Sequence, residues 1–343
     1  MDNQNLLKTK SQERLDFYKS HNKIFYQDDI KKWVVIDEEL IKLILKNDQF
    51  KSLTFNLDLY EKRFSLDLFY VKKLAEFNPL QEYIHPANVL RRDLSQLMAS
   101  RLDLSLTANK TMIIELVDSE FNSAKTFDVS ISFFQKLVAD LFSNLTLIPI
   151  DINFFKQHPA VTLVHLNSLK HIIALNDWIK EVVCSHKEID AIYLHLSLLM
   201  LGSNTLLGAL QESFVQTLLE HKDKKFSQMY WPLGVNKSSA PFTERIVYHD
   251  IKILDKNLKK GEIVRLYLEA PFLTSDSKDQ KLTDLFFGFG MHQCIGKKLS
   301  GEVWQSLTEA FRQINFHGNV LSVKYNDHDV FFDTPLSLEI QLY

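Results

Sequence analysis

Apolar residues recur at intervals of three to four positions over most of the chain between residues 88 and 230. This spacing is typical of amphipathic helices, and the segment 128–147 shows it clearly. The segment 186–221 contains no proline, and its middle is apolar on nearly every side. Because a helix that is apolar all round is buried, we expect this long helix to pass through the centre of the protein.

The pattern predicts short strands in several other places, most of them after Pro232. The predicted strands are Trp33–Asp37, Arg245–Leu254, Glu262–Leu268, Val320–Tyr325 and Leu336–Leu342. A further helix is predicted over residues 299–314. No repeat, low-complexity tract or proline- and glycine-rich linker divides the chain. The sequence therefore predicts a single domain, residues 1–343, that is mainly α-helical with small β-sheets (α+β).

Charge and composition exclude several classes of function. The 40 Lys and Arg residues nearly balance 43 Asp and Glu, so a net charge of −3 gives no overall signature of nucleic-acid binding. No stretch reaches the ~18–20 uninterrupted apolar residues that span a bilayer. Residues 1–20 lack the apolar core of a secretory signal, so we expect a cytoplasmic protein without a membrane span. The two cysteines, Cys184 and Cys294, are too few for a disulfide framework or a zinc site.

Glycine is concentrated around one of these cysteines. The segment 286–302, FFGFGMHQCIGKKLSGE, contains four of the nine glycines in the chain. Glycine permits backbone conformations with positive φ and lets the chain pass close to a large partner. The sequence therefore predicts a tight loop that is shaped around a ligand, with Cys294 at its centre.

Read from Phe287 to Gly296, this loop resembles the haem-binding signature of the cytochrome P450 family. The resemblance implies a P450-like fold that binds haem b (iron protoporphyrin IX), with the Cys294 thiolate as the axial ligand of the iron. The other positions that match the signature are Phe287, Gly288, Gly290, His292 and Gly296. By resemblance, Phe287 shields the sulfur, His292 reaches a haem propionate, and the three glycines let the chain approach the macrocycle.

The long predicted helix resembles the oxygen-binding helix of the same family at residues 201–206, LGSNTL. The resemblance implies that Gly202 lets the cofactor approach the helix and that Thr205 helps to deliver protons. Asn204 stands where the family has an acid, and its amide can relay a proton through water but cannot supply one at neutral pH. Gly202, Asn204 and Thr205 are therefore the predicted catalytic positions.

Arginines at two places resemble those that bind the haem propionates in the family. Arg245 precedes a predicted strand and Asp250. Arg91 and Arg92 lie on a predicted helix after His85, at a longer spacing than the family usually has, so the choice between the two arginines stays open.

The chain also departs from the family, whose Glu-x-x-Arg motif is missing from residues 219–232. In the family this pair fixes the segment before the haem loop. The letters of the motif occur at 262–265 and at 309–312, but neither site is in the right place. The segment 271–290 before and into the haem loop is also short, and its shortening can go together with the loss of the pair, because a shorter segment needs less clamping. The whole chain is also shorter than the soluble members of the family.

The resemblance implies a haem-thiolate monooxygenase that uses O₂ and electrons from a ferredoxin- or flavodoxin-type redox partner. Its substrate is expected to be an apolar small molecule, either free or tethered to a carrier protein, and Lys297 and Lys298 are expected to dock the acidic redox partner. Two alternatives stay open at this point. Asn204 in place of the acid is compatible with a peroxide-dependent or non-redox haem enzyme. The missing clamp is compatible with a non-catalytic haem-binding protein that recruits a partner.

Overall fold

The computed structural model describes residues 9–53, 57–78, 87–158, 168–276, 280–290, 293–325 and 332–343. The α-helices in these ranges are α1 (Lys10–Ser20), α2 (Glu38–Lys46), α3 (Leu57–Phe64), α4 (Phe69–Glu76), α5 (Ala87–Glu120), α6 (Lys136–Thr146), α7 (Ile152–Gln157), α8 (Leu169–Ser185), α9 (Ile192–Glu220), α10 (Ala270–Thr274) and α11 (Lys297–Phe311). Shorter helical segments are a π-helix at Ser130–Gln135 and 3₁₀ segments at Phe226–Gln228 and Gln280–Phe287.

The strands form two small sheets and a hairpin. The larger sheet has the order β1 (Ile24–Gln27), β2 (Lys32–Val35), β8 (Ile263–Tyr267), β5 (Phe242–Val247), β3 (Phe50–Ser52). A three-stranded sheet has the order β4 (Lys125–Asp128), β10 (Pro335–Leu342), β9 (Gly318–Tyr325), and β6 (Ile251–Ile253) pairs with β7 (Lys256–Leu258). Only β2 and β8 run parallel, and the other pairs in the described residues are antiparallel. The predicted class, mainly α-helical with small sheets, is confirmed.

Helix α9 runs through the core, as the sequence predicted. It is long and apolar enough to cross a membrane by length and composition alone, but 67% of its most apolar 18-residue stretch is buried inside the protein. That burial is typical of a core helix, and α9 packs against α4, α5 and α6. The helix begins later than predicted, at Ile192, because Ala191 adopts a left-handed conformation with φ of 52°.

The segment 128–147 is not one continuous helix. Strand β4 ends at Asp128, whose carboxylate then accepts hydrogen bonds from the backbone N–H groups of Ser130 and Ile131. The π-helix follows and leads into α6. An aspartate in this position caps a helix start, which is why the helical pattern begins two residues late.

The predicted strand Arg245–Leu254 is also divided. Strand β5 ends at Val247, and the backbone N–H of Tyr248 bonds instead to the carbonyl of Gln49. The hairpin β6–β7 starts afresh at Ile251. Helix α1 was not predicted, because its residues show almost no apolar periodicity; a capping box between Thr9 and Gln12 marks its start.

Candidate active site

A cavity lies between helix α9 and the cysteine loop. Its volume is about 320 Å³, at the lower end of the range of about 300–1,000 Å³ that small-molecule sites occupy. Its walls are mainly apolar, with leucines of α9 and phenylalanines of the loop. Cys294, Gly202 and Thr205 all line it, so tertiary structure brings together two motifs about 90 residues apart in sequence.

The cysteine loop owes its shape to two glycines. Gly288 and Gly290 have φ of 71° and 70°, in the left-handed region that favours glycine. Backbone hydrogen bonds close the loop, from the N–H of Gly288 to the Leu285 carbonyl at 2.8 Å and from the N–H of Cys294 to the Phe287 carbonyl at 2.6 Å. The loop therefore holds Cys294 at a fixed position beside Phe287, which also lines the cavity.

The sulfur of Cys294 receives backbone donors from the start of helix α11. The N–H of Gly296 lies 3.3 Å from Sγ, and a Cβ at Gly296 would meet the same sulfur at 3.5 Å. Cys294 is exposed because it lines the cavity, while the protein packed around its other sides raises the pKa of the thiol. The N–H groups of Gly296 and Lys297 and the charge of Arg91 oppose that increase in pKa. These donors favour the thiolate, which is the form that ligates a metal.

The structure brings two of the three predicted arginines to the cavity. Arg91 of α5 lines it and donates a hydrogen bond to the carbonyl of Gln293. Arg245 of β5 also lines it and donates to Thr243 Oγ1 at 3.0 Å. Arg92 is exposed and pairs with Asp93 at 3.3 Å. Two further predicted groups, His292 and His85, lie outside the described residues.

Two of the three predicted positions on α9 line the cavity, and the third does not. Thr205 lines the cavity, and its hydroxyl donates to the Leu201 carbonyl at 2.8 Å, a common arrangement for threonine within a helix. Asn204 is not brought to the cavity; its buried amide donates to the His158 carbonyl at 3.2 Å. Gly202 lines the cavity, but a Cβ there would lie 2.7 Å from Cζ of Phe142. The contact that requires glycine is therefore with this phenyl ring.

Comparison with solved structures places this arrangement in a known fold. P450BioI, solved in complex with an acyl carrier protein ligated to hexadec-9Z-enoic acid, aligns with a TM-score of 0.69 at 17% identity, over 96% of this chain and 97% of that one. A thermophilic cytochrome P450 from Sulfolobus tokodaii aligns with a TM-score of 0.68 at 18% identity, over 96% of this chain and 99% of that one. CalO2 aligns with a TM-score of 0.73 at 12% identity, over 97% of this chain and 96% of that one. The chain has the cytochrome P450 fold. No protein-family model and no curated protein matches its sequence.

The cavity residues fit the cofactor of the P450 fold. Haem iron in that fold takes one protein ligand, a cysteine thiolate. The part of the chain that the structure describes contains no group of three or more His, Cys, Asp or Glu residues able to hold a metal ion. Arg91 and Arg245 supply two cations at the cavity, matching the two propionates of haem b. Apolar walls, one sulfur and two arginines are groups that fit haem b.

The two sequences with the letters Glu-x-x-Arg do not act as the P450 clamp. Arg265 pairs with Glu244 at 2.8 Å, and Glu262 accepts a hydrogen bond from the indole of Trp33 at 2.8 Å. Glu309 pairs with Lys110 at 2.7 Å on the surface. Glu262, Arg265 and Glu309 are thus bound to other parts of the chain.

Sequence reasoning missed one polar wall of the cavity. Lys237, Ser238 and Ser239 line it, and all three are buried. They follow Pro232 in a stretch with neither helical nor alternating spacing, so no pattern indicates which way they point. One signal for this wall was available in the sequence. Glu212 is a carboxylate in the apolar part of α9, and such an acid requires a polar partner nearby.

Proposed function

We propose that this protein is a haem-thiolate oxidoreductase of the cytochrome P450 type that acts as a monooxygenase. The observation that carries the proposal is the Cys294 sulfur in the wall of an apolar cavity, facing backbone donors and sharing that cavity with Thr205. A buried inert thiol has no need of two positive-φ glycines, two arginines and a helix start around it.

Haem b bound in this cavity would supply the oxidising chemistry, and the Cys294 thiolate would hold its iron. The chain's own residues bind and shield it. Arg91 and Arg245 neutralise the propionates, and the apolar side chains of α9 and the loop exclude water. Gly288 and Gly296, which line the cavity, would keep side chains away from the cofactor, and Gly290 shapes the loop through its positive φ. Phe287 would cover the sulfur, and Thr205 lies in the cavity wall.

The apolar walls favour an apolar small molecule as the substrate. One neighbouring structure contains P450BioI with a fatty acid ligated to an acyl carrier protein, and a carrier-tethered substrate is our proposal for this chain too. Electrons come from a ferredoxin- or flavodoxin-type protein that docks near Lys297 and Lys298. We also propose a cytoplasmic location, in keeping with the buried α9.

The test is the absorbance spectrum of the dithionite-reduced protein under carbon monoxide, with Cys294→Ala as the variant and Cys184→Ala as the matched control. We expect a strongly red-shifted Soret band in the wild type and in Cys184→Ala, and its loss in Cys294→Ala. An unshifted band in the wild type would contradict thiolate ligation, and the absence of haem would leave only the fold.

Reconstitution with a redox system then separates the proposed monooxygenase from the alternatives. Substrates are first screened by the spin-state change that they cause in the haem spectrum. Product formed with a reductase and O₂ supports the monooxygenase. Product formed with hydrogen peroxide alone would instead favour the peroxide-dependent enzyme, and no product with either would favour the non-catalytic protein.

A further inference from the structure

Glu212 is a buried acid on the same helix as Thr205. The two residues are seven positions apart, which places them on one face of α9 at a separation of about 10 Å along its axis. Gly208 lies between them on this face, and Gln216 and Glu220 continue it toward the end of the helix. Thr205, Glu212, Gln216 and Glu220 therefore form a polar stripe along this face, and further buried polar residues such as Gln211 and Ser213 lie beside it.

The surroundings of Glu212 favour the protonated form. Its side chain is buried, Oε1 accepts a hydrogen bond from the hydroxyl of Tyr325 at 2.6 Å, and Oε2 has no hydrogen-bond partner in the described residues. A buried carboxylate with an unsatisfied oxygen is costly, whereas a protonated carboxyl is far less so. Burial and the charge of Asp333 raise the pKa of Glu212 to about 8, against the opposing effects of Tyr325, Lys237 and Arg14.

Charged side chains from several elements surround Glu212 in the described residues. Arg14 pairs with Glu269 at 2.7 Å and also with Asp333, while Lys237 donates a hydrogen bond to Ser11 at 3.0 Å. Among the described residues, Arg14, Lys237 and Lys10, whose Nζ lies 5.0 Å from the centre of the Tyr325 ring, bring positive charge to this region, and Glu269 and Asp333 bring negative charge. A negative charge on Glu212 would lie in a buried site near Asp333, which is why the pKa of Glu212 is raised.

The segment 235–240 connects this cluster with the cavity. It runs antiparallel to α9, because Ser213 Oγ accepts hydrogen bonds from the N–H groups of Asn236 and Lys237 at 3.1 and 3.2 Å. At its other end, Ser239 Oγ donates to the Thr205 carbonyl at 2.7 Å. Lys237 lines the cavity and also interacts electrostatically with Glu212. Lys237 therefore lies between the cavity and the cluster around Glu212.

The other end of the stripe reaches solvent. Gln216 donates a hydrogen bond to Glu220 at 2.5 Å and accepts one from Gln12 at 3.0 Å. Glu220 is exposed and Gln12 is half-buried. Gln216 and Glu220, which lie about one and two turns beyond Glu212 on α9, thus lead toward the surface beside α1.

We propose that Glu212 is the proton reservoir of the cavity and that Lys237 passes its proton inward. The Lys237 ammonium releases one proton to a group in the cavity, and the Glu212 acid returns one proton to the amine. Glu212 then recovers a proton from solvent along Gln216 and Glu220, so one proton enters for each that leaves and no electron moves. This inference rests on the proposed function, and it explains how a cavity that Asn204 does not reach receives protons.

The first arm of the test needs neither haem turnover nor substrate. Infrared difference spectra over a pH titration should show the carbonyl band of a protonated carboxylic acid that disappears above about pH 8. The band should be missing in Glu212→Gln. In Tyr325→Phe it should persist to higher pH, because the Tyr325 hydrogen bond lowers the pKa of Glu212. Absence of the band from the wild type, with Glu212→Gln folded and otherwise identical, would overturn the proposal.

The second arm measures coupling, the product formed per electron pair consumed, together with the solvent deuterium isotope effect. Glu212→Gln and Lys237→Gln are expected to lower coupling by about tenfold or more, since a positioned general acid contributes about 10²–10⁴-fold. Glu309→Gln, which removes an exposed acid paired with Lys110, serves as the control and should leave coupling unchanged. Unchanged coupling in Glu212→Gln would overturn this inference alone. A wild type without the red-shifted carbonyl band would overturn the proposed function, and this inference with it.

Discussion

Arg14 donates a hydrogen bond from Nε to Glu269 at 2.7 Å, and this ion pair joins helix α1 to the start of α10. The same guanidinium binds Asp333 ahead of β10. The two carboxylate side chains are 1% and 5% exposed. Because both acids are buried, the arginine is the group that makes their charges tolerable.

Arg14→Ala is expected to lower the free energy of unfolding by about 3 kcal/mol, because it leaves two buried carboxylates without their cation. Urea denaturation followed by circular dichroism measures the change. Arg92→Ala, which removes an exposed arginine, is the matched control and should stay within about 0.5 kcal/mol of the wild type. A loss below about 1 kcal/mol for Arg14→Ala would show that this ion-pair network contributes little to the stability of the fold.

Two glycines of the same region should respond in opposite ways to alanine. Gly290 has φ of 70°, and a Cβ there would lie 3.4 Å from the Leu45 carbonyl oxygen, so Gly290→Ala should cost about 1–2 kcal/mol. Gly301 lies inside α11 with nothing within 4 Å of its Cβ position, so Gly301→Ala should stabilise by about 0.5–1 kcal/mol. Thermal unfolding measures both changes, and haem content should fall only in Gly290→Ala. Equal changes in stability at the two sites would contradict the backbone strain that we assign to alanine at position 290.

Gly202→Ala tests the contact between α9 and α6. The new methyl would lie 2.7 Å from Phe142, which should cost about 1–3 kcal/mol through overpacking. Phe142→Leu removes the obstructing ring, so the double variant should lose less stability than the two single changes added together. Strict additivity in chemical denaturation would show that the ring is not what excludes alanine.

Glu212 should make stability depend on pH. Its pKa is raised from 4.5 to about 8, so the folded state binds the proton more tightly and its contribution is complete below about pH 4.5. That contribution is lost as pH rises to about 8, at up to about 1.4 kcal/mol per pH unit, and the loss stops above that pH.

Glu212→Gln should remove this slope. His158, whose pKa burial lowers to about 4, acts in the opposite direction below pH 6.5, so the window from 6.5 to 8 isolates the glutamate. Urea unfolding of wild type and Glu212→Gln at several pH values gives the comparison. If the free energy of unfolding depended on pH in the same way in the two proteins between pH 6.5 and 8, a protonated Glu212 in the folded state would be ruled out.

Lys297 and Lys298 test the docking face. Each already pairs with a carboxylate of the chain, Lys297 with Asp284 at 2.8 Å and Lys298 with Glu302 at 3.6 Å, and such surface pairs contribute only about 0–1 kcal/mol. Replacing both by Gln should slow reduction by the partner about tenfold at low salt, with the haem spectrum unchanged. Lys222→Gln with Lys224→Gln is the control on another surface. An unchanged reduction rate in the first pair would remove this face as the docking site.

The sequence alone determined the parts of this protein that depend on local spacing. The positive-φ glycines of the cysteine loop and the buried character of α9 are properties of short segments, so pattern and resemblance located them. The same holds for the class of fold, since helical and strand periodicity are local. Boundaries were less certain where one capping residue decided them, as Asp128 does before the π-helix.

Tertiary structure decided which side chains meet. Arg91 and Arg92 are adjacent in sequence, yet only Arg91 lines the cavity, because the packing of α5 fixes which side of the helix faces inward. Asn204 and Thr205 differ in the same way on α9. The cluster around Glu212 combines groups from α1, α9 and the segment before β10, and contacts over such sequence separations leave no periodic signal. The direction of a side chain is set by what packs against its helix, and the sequence does not state that locally.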